Sequence, residues 1–209
     1  MSRILLSIIG FALVFLCLGC RQTASSLHTG SSKATSTRQG NQPITVCDSA
    51  GKTVLLITPA GKRYDVKTAA GTVGSLKVKN DRVSLYTPQE SKVGAVKRDS
   101  ADFVLDDASG KKIAKLSAKE GGYRLKDASS TSYLKIKPRD NGFKVSDGSG
   151  QTLGKGRCKD NTVAIADANG KTLYTISGTD TEVTGVLLTS KLTPVQQAAL
   201  ILAATTLPQ

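Results

Sequence analysis

Residues 103–116 read FVLDDASGKKIAKL, and residues 123–136 read YRLKDASSTSYLKI. Placed twenty positions apart, the two stretches share an alternating apolar start, an aspartate, a small turn residue and a second apolar pair. The count continues in both directions. Phe103, Tyr123, Phe143 and Val163 keep it, as do Asp107, Asp127, Asp147 and Asp167. So do Gly110, Ser130, Gly150 and Gly170, followed by Ile113, Tyr133, Leu153 and Leu173. Upstream the pattern fades but holds its register: Val83, Leu85, Val93 and Val96, then Val73 and Leu76. After a one-residue slip come Asp48, Gly51, Val54 and Ile57. Seven units result, and a fixed period constrains architecture before any single residue does.

Each unit reads as two short strands around a turn. Phe103/Leu105, Tyr123/Leu125, Phe143/Val145 and Val163/Ile165 place apolar groups on one face at the period of two that a strand requires. At the turn, Asp bonds its own backbone and Gly takes a positive φ at little steric cost. Ser130 breaks the glycine rule, so its turn is expected to be strained or of another type. In the second strand the apolar residues stand three apart, as in Ile113 and Leu116. That is the wrong parity for one face, and a β-bulge near the strand start reconciles it. Treating residues 44–188 as successive ribbons predicts an all-β antiparallel meander barrel of about twelve to thirteen strands. A propeller fits less well, because a blade takes about 40 residues.

The carboxyl end differs in kind. In SKLTPVQQAALILAATTL, Thr193 caps a helix beginning at Pro194, and Gln196 reaches back to the cap. The helix, about 194–206, carries no charge and is apolar on nearly every side, so it must be buried. At 1.5 Å per residue it spans about 20 Å, too short for a bilayer and matched to the bore of a small barrel. The recurring D-x-x-G-x-x-[IVL] turns followed by LTPVQQAALILAA resemble the tubby-like barrel of tubby, LURP-one-related and phospholipid scramblase proteins. The resemblance implies that the helix runs along the barrel axis. It transfers no functional residue.

The other end supplies an address. MSRILLSIIGFALVFLCLGC has one cation, Arg3, an apolar run from Ile4 to Leu18, and then Gly19-Cys20 before the polar RQTASS. This resembles a bacterial lipoprotein signal, which implies that residues 1–20 are a signal peptide and that Cys20 becomes the acylated first residue. Arg21, rather than Asp, after that cysteine resembles sorting to the outer membrane. The expected location is the cell envelope, lipid-anchored and facing the periplasm. Residues 21–42, rich in Ser, Thr, Gly and Gln, read as a disordered tether before a barrel domain at 43–209. The single histidine, His28, falls in that tether as a solvated bystander. The formal charge of +13 favours polyanions. Export selects a membrane surface as partner and argues against nucleic acid.

Candidate chemistry is sparse. Ser49–Lys52, Ser109–Lys112 and Ser132–Lys135 match S-x-x-K in spelling, but they fall on turns or a strand where no helical turn brings Lys to Ser. With no histidine in the domain, a Ser-His-Asp or Cys-His site cannot be built there. A calcium ladder along the aspartates would need six to eight converging oxygens, so turn-forming Asp is the preferred reading and neither metal nor cofactor is expected. Cys47 and Cys158 are either a disulfide closing a long loop or two separate thiols. Lys115, Lys135 and Lys155 share one register and would form an outward stripe, which is either ordinary solvation or a contact for anionic lipid. The leading expectation is a non-enzymatic, membrane-anchored structural or binding barrel. The alternative is a lipid-binding or lipid-transfer protein, or an enzyme, with a pocket at the barrel mouth.

Overall fold

Fourteen strands alternate with tight turns from Ile44 to Ser177 in the computed structural model, which describes residues 42–207. The signal segment, Cys20, His28 and nearly all of the tether lie outside the described residues. The strands are β1 (Ile44–Asp48), β2 (Thr53–Ala60), β3 (Arg63–Thr68), β4 (Gly71–Lys79), β5 (Arg82–Tyr86), β6 (Lys92–Asp99) and β7 (Asp102–Asp107). They continue as β8 (Lys112–Lys119), β9 (Gly122–Asp127), β10 (Ser132–Arg139), β11 (Gly142–Asp147), β12 (Thr152–Lys159), β13 (Thr162–Asp167) and β14 (Thr172–Ser177). Every strand pairs antiparallel with its sequence neighbours, and β1 closes on β14 through Val46 opposite Ile176. The fold is therefore a closed antiparallel meander barrel. It holds fourteen strands, two for each of the seven units, where about twelve to thirteen were expected. Thr68 and Thr87 occupy the places where the other turns carry Asp, which is why their units are hard to see in sequence.

The parity problem resolves as a bulge in each hairpin. Leu105 pairs with Ala114 and Asp106 with Lys112, leaving Ile113 as the extra residue. Val54, Val73, Val93, Tyr133, Leu153 and Leu173 are extra in the same way. Beyond each bulge the alternation resets, so Leu116, Leu134, Ile136 and Ile176 face inward and are fully buried. The outward positions are polar or charged, such as Lys77, Lys97, Lys137 and Lys155. An apolar interior within a charged wall reverses the polarity of a membrane-spanning barrel.

Two segments fill the interior. Helix α1 (Pro194–Thr206) begins with both halves of a capping box: Thr193 Oγ1 accepts from the Gln196 N–H, and Gln196 Oε1 accepts from the Thr193 N–H at 2.9 Å. Ala198 to Ala204 are buried, and the helix packs against β2 to β7. The half facing β10 to β12 is filled by a 3-10 helix, η1 (Glu182–Leu188), where the sequence reading expected ribbon. The plug is thus double. The Gln197 amide fastens its parts by donating to the Val186 and Thr189 carbonyls at 3.2 and 2.9 Å. The wall makes room with inward glycines: a Cβ on Gly74 would stand 3.2 Å from Val195, and one on Gly154 would stand 2.9 Å from Leu188. Val195 and Leu188 therefore lie toward the Asp-turn end. The helix C-terminus lies at the other end, where Thr205 Oγ1 is 3.2 Å from Thr179 Oγ1 and where Pro43 leads the chain into β1.

Candidate functional site

With the interior packed, three recesses among the described residues are lined by strand and turn residues of the wall. On the outer face of β9 to β12 the alternation that buries Leu125, Leu134, Ile136, Phe143 and Val145 turns Arg124, Lys126, Lys135, Lys137, Lys144, Lys155 and Arg157 outward. Strand register then sets cations beside cations. Lys137 pairs with Lys144, and Lys144 with Lys155, so three ammonium groups sit in one row across three strands. Like charges directly opposite destabilise a sheet. Among the described residues none of these three lysines has an ion-pair partner.

The row borders a recess of about 550 Å³ over β11 and β12, with Arg139, Lys144, Lys155 and Arg157 around it. Asn141, Gly142, Phe143 and Gly156 complete its lining. Gly156 faces the interior: a Cβ there would overlap the ring of Phe143, which packs against the strand from inside. A second recess of about 320 Å³ shares Arg139 and adds Lys119, Arg124, Lys135 and Lys137. Its one acid, Glu120, stands 3.8 Å from Arg124 and 4.0 Å from Lys119. Both recesses border residues of the turns at the Pro43 end of the barrel, and β12 is three strands from β1 around the wall.

The register places Lys115, Lys135 and Lys155 on β8, β10 and β12, all facing outward, but their surroundings differ. Lys115 donates to Asp102 at 2.7 Å and lies 3.9 Å from Asp99. The hydrogen bond to Asp102 holds its pKa above the ordinary lysine value. Lys135 donates to the Gly148 carbonyl at 2.8 Å, and Lys155 is exposed beside the larger recess. The stripe is therefore not three equal charges. The basic surface is a two-dimensional wall that also includes Lys137, Arg139, Lys144 and Arg157, which lie outside the register of Lys115, Lys135 and Lys155. The signal that finds them is apolar–cation alternation in LKIKPR, FKV and GKGRCK, once inward and outward are known.

Cys47 and Cys158 are free thiols. They lie on β1 and β12 with β13 and β14 between them, about 14 Å at sheet spacing and beyond the reach of a disulfide. Cys47 faces outward and Cys158 inward, so the bridge weighed from sequence is not formed. Burial, with help from Glu182 and Asp180, pushes the Cys158 thiol up. Glu182 is raised by its own burial, and Arg98 holds a buried Nη1 with no hydrogen-bond partner among the described residues. The turn aspartates act within their own turns. Asp107 Oδ1 accepts from the Ser109 and Lys111 N–H groups at 2.9 and 3.0 Å and from the Ser109 hydroxyl at 2.6 Å. Asp48, Asp127, Asp147 and Asp167 accept in the same manner.

No family model and no curated protein matches the chain. Among solved structures, a protein from Arabidopsis thaliana superposes with a TM-score of 0.39 at 8% identity, covering 70% of this chain and 88% of that one. A likeness this slight carries no argument about function.

Proposed function

We propose that the protein is a non-enzymatic, lipid-anchored envelope lipoprotein whose barrel works as a binding body, held by Cys20 and settled on an anionic membrane surface. The carrying observation is the position of the basic wall. Its recesses border the same end of the barrel at which Pro43 leads into β1. An anchor upstream of Pro43 brings that end toward the lipid, where each lysine or arginine near an anionic surface contributes about 1 kcal/mol. Several acyl chains on one residue make the attachment durable, and the wall sets the orientation. Outer-membrane placement facing the periplasm follows from Arg21 on the same reading.

The test is expression of the full chain in a bacterium fed radiolabelled palmitate. The expected result is a labelled protein in the membrane fraction and an unlabelled protein once Cys20→Ser is introduced. An unlabelled parent chain, or label that survives the substitution, refutes the anchor.

A further inference from the structure

We infer that the recess over β11 and β12 is a discrete binding site for a phosphate monoester. The inference rests on the reading of this wall as the membrane-facing surface and adds the chemical group that the wall selects.

Four cations, Arg139, Lys144, Lys155 and Arg157, surround one concavity, and no carboxylate lines it. Its volume of about 550 Å³ lies within the ordinary range for small-molecule sites. Lys144 stands directly between Lys137 and Lys155, so the unliganded wall carries repulsion that a bound anion relieves. Gly142 pairs with Arg157 and so shares its outward register, and with no side chain it leaves its part of the recess open to a compact tetrahedral group beneath the cations. Arginine offers a planar fork that matches two phosphate oxygens, and lysine adds point charge. A monoester brings close to two negative charges at neutral pH with three free oxygens. A diester brings one charge and blocks a second oxygen with carbon. Four converging cations therefore favour the monoester. The same chemistry is found on a monoester lipid headgroup and on free phosphate.

The full-length protein, solubilised in neutral detergent, is titrated with inorganic phosphate, short-chain phosphatidic acid and short-chain phosphatidylglycerol, with amide chemical shifts as readout. Saturable shifts at Gly142 and Gly156 with phosphate and phosphatidic acid, at least tenfold tighter than with phosphatidylglycerol, support the site. Phosphatidic acid tighter than inorganic phosphate assigns it to a lipid; equal affinities assign it to the free group, and both uphold the monoester. Lys155→Gln with Arg157→Gln should weaken binding by about tenfold or more per cation, whereas Lys67→Gln on β3 should leave it unchanged. Binding should also weaken as pH falls below about 6, where the monoester dianion takes up a proton and becomes a monoanion. Equal affinity for monoester and diester, or binding unaltered in the double variant with an unchanged Tm, overturns the site. Neither result touches the palmitate experiment, so failure of the anchor and failure of the recess are read separately.

Discussion

Asp107, Asp127 and Asp147 each hold a turn through one carboxylate oxygen, and each has its pKa lowered. The hydrogen bond from the serine two residues on is the largest cause in all three. A carboxylate whose folded pKa lies below its unfolded value of about 3.9 contributes stability above that pH and loses it as pH falls through the folded value. Replacing all three by Asn should lower Tm at pH 7, and the gap from the parent chain should narrow as the pH is taken down through the carboxylate range. A gap independent of pH refutes an ionic contribution. Ser130 gives a second residue-scale case. It takes φ 71° where Gly110, Gly150 and Gly170 stand in the sister turns, and it keeps the same Asp127 carbonyl bond at 3.1 Å. The turn type is preserved and a side chain bears the left-handed backbone. Ser130→Gly should therefore stabilise by up to about 1 kcal/mol in denaturant unfolding, after the added unfolded-state entropy of glycine is subtracted. A destabilised variant would show that no strain is stored there.

At the scale of elements, the hairpin is the repeating part and the bulge is what makes it work. An unbulged second strand would turn Leu116 and Ile136 outward, since a one-residue slip flips every side chain. The recurring extra residue was legible as a three-residue spacing in sequence, but its inevitability came from the demand that both strands face one interior. The glycines at Gly74, Gly154 and Gly156 were not legible, because what excludes a side chain there sits on a distant segment or the neighbouring strand. Gly156→Ala is the sharpest test of that packing. Its Cβ overlaps the buried Phe143 ring, and relief requires moving an aromatic in a filled core, at a cost of about 1–3 kcal/mol. Phe143→Leu on the same background should return part of the loss, and an equal loss in both would point elsewhere.

For the molecule as a whole, closure of β1 on β14 leaves no free sheet edge, and the double plug fills what closure encloses. The barrel and plug should unfold together. Ending the chain after Ser190 removes α1 and exposes the inward faces of β2 to β7. The expected product has β-sheet circular dichroism, binds a hydrophobic dye and melts without a sharp transition, as a loosely packed state does. A truncated chain that melts cooperatively near the parent Tm would mean that the helix is dispensable. Within the intact helix, Ile201→Ala should cost about 2–5 kcal/mol, because Ile201 is fully buried and the rigid wall cannot collapse onto the space left.

The amino-acid sequence determined by itself the twenty-residue hairpin, the turn chemistry, the bulge and the capped, buried helix. Each depends on neighbours a few residues away, and local period and turn preference report those directly. Only the tertiary structure decided that fourteen strands close, that η1 shares the bore with α1, and that Cys47 and Cys158 stay apart. It also decided which cations gather. Lys115 is tied to Asp102 across the β7–β8 hairpin, while Lys137, Lys144 and Lys155 meet through pairing of three strands. Those outcomes depend on cross-strand register and on which face looks outward, and a linear count carries neither.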